Sequence, residues 1–141
     1  MRVRIPIQII NIENNGCHIV VQAKFGNHKK GLLIIDTGAS KTVFDSTLVE
    51  SVTKPFETDQ DIQSTGIDAT FVQSRLAILK KIEMGDFKSF NLLVVLIDLS
   101  NITKLYKKIN NKKIWGLLGS DFLSYHKAKI DYEKNELSLK I

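Results

Sequence analysis

The sequence predicts a single, mostly β domain with one or two short helices. Three observations carry that expectation. Apolar and polar residues alternate at both ends of the chain, turn-forming Gly and Asn residues recur at short intervals, and one stretch alone shows an extended helical apolar period. A length of 141 residues suits one domain spanning 1–141, with enough chain to bury a core without staples. The 43% hydrophobic and 25% charged content is that of an ordinary globular protein.

The elements follow in order. Val3, Ile5, Ile7 and Ile9 alternate with Arg2, Arg4, Pro6 and Gln8, which predicts one half-buried strand. Asn14-Asn15-Gly16 is a hairpin turn, since both residue types tolerate the positive φ of a tight type I′ turn. Ile19 to Phe25 is the return strand, and Gly26-Asn27-His28 turns the chain again. Gly31-Leu32-Leu33-Ile34-Ile35 is apolar on both faces and therefore central. Thr42-Val43-Phe44 reads as a short strand, with Asp45-Ser46 placed to cap a brief helix through Val49. Lys54 to Thr70 is polar and reads as a loop. Two strands, Phe71 to Ile82 and Phe87 to Leu99, flank the turn Met84-Gly85-Asp86. Ile102, Leu105, Tyr106 and Ile109 keep a helical period, with Asn101 as the expected cap. Ile114 to Gly119 is a second apolar run, Ser120-Asp121 starts a helical turn, and Ala128–Tyr132 with Leu137–Ile141 form a closing hairpin.

Composition excludes several classes of function. Cys17 is the only cysteine, so no intramolecular disulfide forms, and its apolar neighbours suggest an inert thiol. The net charge of +5 draws on Lys104, Lys107, Lys108, Lys112 and Lys113, a cluster with little aromatic interleaving and no nucleic-acid reader motif. It reads as a solvated helical face, so no nucleic-acid partner is expected. His18, His28 and His126 lack metal-ligand spacing, and no metal or cofactor is expected. Apolar runs fall well short of the ~20 residues of a membrane span, and Pro6, Gln8, Asn11 and Glu13 interrupt any signal-peptide core. The expectation is a cytoplasmic protein with no membrane association, and Met1 and Ile141 favour one that stands alone.

Asp36 is the residue that demands a chemical explanation. It ends the apolar run Leu32–Ile35 and opens the turn Asp36-Thr37-Gly38-Ala39-Ser40, a pattern found once in the chain. Desolvating a carboxylate costs several kcal/mol, on the order of the effective ion penalty, unless partners satisfy it. With Thr42-Val43 after it, and Leu117-Leu118-Gly119 followed by Asp121 later on, the chain resembles the retropepsin-like aspartic proteases, single-lobed relatives of the retroviral enzymes and nearest their bacterial and cellular branch. The resemblance covers nearly the whole chain in order, and implies a retropepsin-like acid-protease barrel of one lobe.

The resemblance also implies a mechanism and a site. Two Asp36 carboxylates, one from each subunit of a homodimer, would share a proton, because like charges a few ångströms apart do not both ionise readily. The ionised member activates a water for attack on a peptide carbonyl, while the protonated one hydrogen-bonds the carbonyl oxygen. Thr37 would reach across the dimer, and Gly38 would bring its N–H to the carboxylate in a turn a side chain resists. Ala39 and Ser40 would line the floor under a peptide or protein substrate. Trp115 and Leu117 would shape its side-chain pockets, and a flap around Ser64-Thr65-Gly66-Ile67-Asp68 would close over it, with Thr65, Gly66 and Ile67 touching substrate.

Three departures from the viral pattern stand out. Ser40 and Ser120 replace an acid and an arginine that brace the viral dimer, the flap holds one glycine, and a full C-terminal hairpin predicts a different terminal sheet. Two rivals define the alternatives. Ile35–Ser40 is also similar to the first phosphate loop of actin-like and sugar-kinase ATPases, but those need two lobes and a second acidic loop, for which 141 residues leave no room. The stronger rival is a weak or inactive retropepsin-like module used for dimerisation or for binding extended peptides by strand addition.

Overall fold

The computed structural model describes residues 1–12, 16–26, 29–47, 49–56, 62–65, 71–110 and 113–141. Twelve strands and two α-helices occur among them: β1 Arg2–Pro6, β2 Gln8–Ile12, β3 Gly16–Lys24, β4 Lys30–Ile35, β5 Val43–Asp45, β6 Thr53–Pro55, β7 Ile62–Thr65, β8 Phe71–Met84, β9 Phe87–Ile97, α1 Ser100–Asn110, β10 Ile114–Leu118, α2 Ser120–Tyr125, β11 Lys129–Asp131 and β12 Glu136–Lys140. A small sheet runs β1-β12-β11, and a large one runs β2-β3-β4-β10-β5-β9-β8-β6, with β7 added on β8. Pairing of Lys24 with Glu83 joins β3 back to β8, so the large sheet curls into a barrel. The mostly β, single-lobed fold expected from the sequence is the one observed.

The N-terminal alternation is split by a change of sheet. β1 pairs with β12 and β2 with β3, and between them Ile7 N donates to Asn135 O at 3.0 Å. Passing from one sheet to the other shifts the buried set by one residue. Ile5, Ile7 and Ile10 are therefore buried, while Ile9, expected to point with them, is 41% exposed.

Three other expectations need correction. The polar segment after Lys54 contains β7, whose Ile62-Gln63-Ser64-Thr65 sequence has no apolar alternation and becomes a strand through its backbone ladder to β8. It also overlaps β6, which pairs with β8 at Leu79–Ala77. Asp45 does not cap a helix through Val49. It is buried at the end of β5, its Oδ1 accepts from Leu99 N at 2.8 Å, and the chain continues into a short 3-10 turn at Glu50–Val52. Asn101 sits inside α1 rather than at its start. Asp98 Oδ1 instead accepts from Ser100 N at 2.8 Å, and that hydrogen bond holds the Asp98 carboxyl below the ordinary carboxylate range. The turn residues Asn14, Asn15, Asn27 and His28 lie outside the described residues.

Two apolar clusters lie on opposite faces of β4 and β10. The larger holds Leu33, Ile35, Trp115 and Leu118, and the smaller holds Ile34, Ile114 and Tyr106 of α1, with Leu117 packed against it. The Trp115 ring stacks on Phe25 at 4.9 Å and 7°, and covers Gly31 on the neighbouring strand. A Cβ on Gly31 would run into that ring. Gly31→Ala is expected to cost about 1–3 kcal/mol, the usual range for overpacking, measured by urea denaturation. Part of the loss should return in the double variant Gly31→Ala with Trp115→Leu.

Candidate active site

β4 and β10 lie side by side and run parallel, so they end together, with Leu118 opposite Ile35. Asp36 is the first residue beyond β4, and its N–H donates to Leu118 O at 2.9 Å. The chain then turns tightly, with Ala39 N donating to Asp36 O at 3.1 Å. Gly38 N donates to Asp36 Oδ1 at 3.1 Å, which fixes the carboxylate while leaving the residue partly exposed. The conformation of Gly38 lies outside the left-handed region, and an added Cβ would meet Asp36 Oδ1 at an ordinary 3.4 Å. The loop thus uses the Gly38 N–H, and the expected conformational need for glycine is not what this protomer shows.

A second layer of hydrogen bonds holds the loop to the start of α2. Ser120 N donates to Ala39 O at 2.7 Å. Thr42 Oγ1 accepts from Gly119 N at 2.9 Å and donates to Asp121 Oδ1 at 2.8 Å. Thr42 N donates to Asp121 Oδ2 at 3.1 Å, and Phe122 N donates to Asp121 Oδ1 at 2.8 Å. Both oxygens of Asp121 are therefore engaged, and Thr42 relays between the two apolar-strand termini. Gly119 has no room for a side chain, since a Cβ would lie 2.7 Å from the Lys41 carbonyl and 2.8 Å from Ala39 O.

The same bonds decide the charge on Asp121. Partial burial pushes its carboxyl up, and the Thr42 backbone and side-chain hydrogen bonds, the Phe122 N–H and nearby Lys41 outweigh that, leaving it below the ordinary range. A folded-state value lowered in this way adds stability above the unfolded carboxylate value, about pH 4, and loses it as pH falls through the lowered one. Thermal melts against pH should show the wild type losing stability more steeply than Asp121→Asn below about pH 4. Thr42→Val, which removes the relay, is expected to cost about 1–2 kcal/mol at neutral pH.

The remaining expected site residues do not all meet. Thr37, Gly38 and Ser40 are exposed at the loop, and Ala39 is half-buried. Leu117, the register partner of Ile34, is partly exposed on the α1 face. Trp115 is 4% exposed in the larger cluster. A register shift between Ile114 and Gly116 turns Trp115 and Leu117 to opposite faces, so they do not form one wall. Thr65 ends β7, while Gly66, Ile67 and Asp68 lie outside the described residues.

Residues 21–122 match a family model described as "Aspartyl protease", a span that covers more than half of the chain and includes Asp36, Thr42, Gly119 and Asp121. The chain belongs to the aspartyl protease family. Solved structures share its fold. A retropepsin-like aspartic protease from Rickettsia conorii superposes with a TM-score of 0.51 at 17% identity, covering 99% of this chain and 90% of that one. The retroviral protease-like domain of Ddi1 from Leishmania major gives 0.51 at 14%, covering 85% and 86%. A protein named edgp gives 0.53 at 10%, covering 99% of this chain and 46% of the other, so this chain spans about half of it. At such identities the likeness is one of fold, and that fold is retropepsin-like. No curated protein matches the chain by sequence.

For this aspartyl protease family member, sequence reading missed two parts of the site. One is the role of Thr42 and Asp121, which lie 79 residues apart and so give no local signal. The other is the packing of Ile34 and Leu117 beneath Tyr106 and Ile102 of α1. The helical period of α1 was legible, but the face it covers was not. No helix among the described residues is long and apolar enough to cross a membrane.

Proposed function

We propose that the chain is an aspartic endopeptidase that acts as a homodimer, with the two Asp36 carboxylates activating a water between them. One observation carries this reading: Asp36 is presented at a loop edge, braced through its backbone and the Gly38 N–H, while the neighbouring carboxylate, Asp121, has both oxygens committed to Thr42 and Phe122. Aspartic catalysis needs two carboxyl groups that share a proton. One protomer offers Asp-Thr-Gly once, so the second acid comes from a second copy. Exposed Thr37 and Gly38 are the part of the loop available to meet it. Ala39, Ser40 and Leu117 line the approach to Asp36, and the β7–β8 hairpin, with Thr65 at the end of β7, closes over substrate. Trp115 supports this site from within the core. The substrate is a peptide or protein, and no metal or cofactor takes part.

The dimer is held differently from the viral enzymes in this reading. β1 pairs with β12 inside one chain, and Ile141 N donates to Met1 O at 3.0 Å, so the two terminal strands already satisfy each other. The test is peptide hydrolysis across pH with sedimentation of the same sample. The expected result is cleavage with an acidic optimum, and specific activity that falls on dilution as the dimer separates. Cleavage by a species that sediments as a monomer would overturn the paired-aspartate reading. A stable dimer that cleaves nothing would leave a peptide-binding or dimerisation module instead.

A further inference from the structure

We infer that the cavity between the β3–β4 turn, the 3-10 turn and β8 is a binding site for a small molecule carrying two or more phosphate or carboxylate groups. The cavity measures about 330 Å³, within the range of ligand pockets. Lys29, Lys80 and Lys81 line it together with Ser51. Its apolar wall is Phe25 and Val52, both buried, and the Phe25 ring is fixed by its stack on Trp115. Gly26, at φ +78°, has nothing within 4 Å of the place a Cβ would occupy, so the turn leaves that side of the cavity open.

Charge decides what the cavity takes. No carboxylate lines it among the described residues. Lys81 lines the cavity but its ammonium is held by Glu83 at 2.9 Å and lies 5.8 Å over the Phe90 ring, neither of which lines the cavity, so Lys29 and Lys80 carry its free charge. Lys29 and Lys80 are exposed and have no ion pair among the described residues. The ammonium groups of Lys29 and Lys80, with no ion pair among the described residues, repel one another there, and a multiply charged anion bridging them relieves that repulsion. Lysine suits this role as a flexible point charge with three donors, with no need for the planar fork of arginine. The Ser51 hydroxyl adds a further donor, and the apolar wall accommodates a carbon body between the charged groups.

The position separates this cavity from the Asp36 site. The turn that frames it precedes β4 and Asp36 follows β4, so a strand of six residues lies between them, about 20 Å at the usual rise. The inference therefore stands independently of the proposed proteolysis. A ligand here would tie the β3–β4 turn to β8, the strand that continues into the β7 hairpin.

The experiment is calorimetric titration at pH 7 with inorganic pyrophosphate and, separately, citrate, with sodium chloride at matched ionic strength as the reference. Saturable binding of one anion per chain is expected, with a rise in melting temperature that sodium chloride does not reproduce. The double variant Lys29→Ala with Lys80→Ala should lose at least tenfold in affinity while keeping its unliganded melting temperature. Lys104→Ala with Lys107→Ala removes the same charge from α1 and should bind as the wild type does. Tighter binding of pyrophosphate or of citrate identifies phosphate or carboxylate as the natural group. Equal losses in the two double variants, or a response that follows ionic strength alone, would overturn the assignment.

Discussion

Asp36→Asn is expected to lower the rate of peptide cleavage by about 10²–10⁴-fold or more, the range for losing a positioned acid or base, while leaving melting temperature and dimerisation near wild type. Asparagine keeps an oxygen to accept the Gly38 N–H, so the loop geometry survives. What disappears is the capacity to hold and pass a proton. The paired reading makes a stronger claim than loss in the variant alone. When wild-type and Asp36→Asn chains are mixed and allowed to exchange, active dimers need two acids, so activity should follow the square of the wild-type fraction. A linear dependence would mean that each protomer works by itself, and cleavage by Asp36→Asn at the wild-type rate would remove Asp36 from the chemistry altogether.

Gly119→Ala should have the second largest effect, and should separate activity from stability. The new methyl would press on the backbone of Lys41 and Ala39, the return limb of the Asp36 loop, rather than on a side chain able to rotate away. The stability loss is expected at about 1–3 kcal/mol, as for other overpacked sites. The rate should fall by about 10²-fold, because a shift of about 1 Å in a reacting group has that consequence. Denaturant melts and kcat measured on the same preparation test the split. A variant as unstable as expected but fully active would show that the loop position is not critical.

Much of the fold was readable because its elements carry apolar patterns that follow from burial. The run Leu32–Ile35 is apolar on both faces because two clusters sandwich β4. β8 and β9 carry the apolar runs Leu76–Leu79 and Leu92–Ile97 and flank a Gly85 turn with φ of +52°. Legibility failed where hydrogen bonding or a change of sheet, rather than burial, set the structure. β7 is held by a backbone ladder that any sequence permits. Ile9 changes face because the chain leaves one sheet for another, an event without a local residue signal. Asp98 displaced Asn101 as the residue bonding the first turn of α1, since both are residues that suit that role.

The site divides along the same line. That Asp36-Thr37-Gly38 forms a turn at the end of an apolar strand was legible from the run Leu32–Ile35 before it and the small residues after it. The loop's supports were not, since Thr42 and Asp121 are ordinary surface-type residues until the fold brings them together. Trp115 shows the converse problem. Its spacing from Leu117 in sequence suggests one shared face, and the irregular register at Ile114/Gly116 reverses that.

The Thr42–Asp121 bonds also carry a consequence for synthesis of the chain. Asp36 emerges from the ribosome with β3 already beside its strand but long before its other supports, because β10 and the acid that anchors Thr42 lie far downstream. Closing such long loops precedes the contacts that reward it, so this pairing forms late. Until residue 121 is free, the loop bearing Asp36 has its local turn bonds but lacks those to Leu118, Gly119, Ser120 and Asp121 that anchor it. A nascent chain therefore carries the acid without the full geometry around it, and the order of synthesis itself delays assembly of the site.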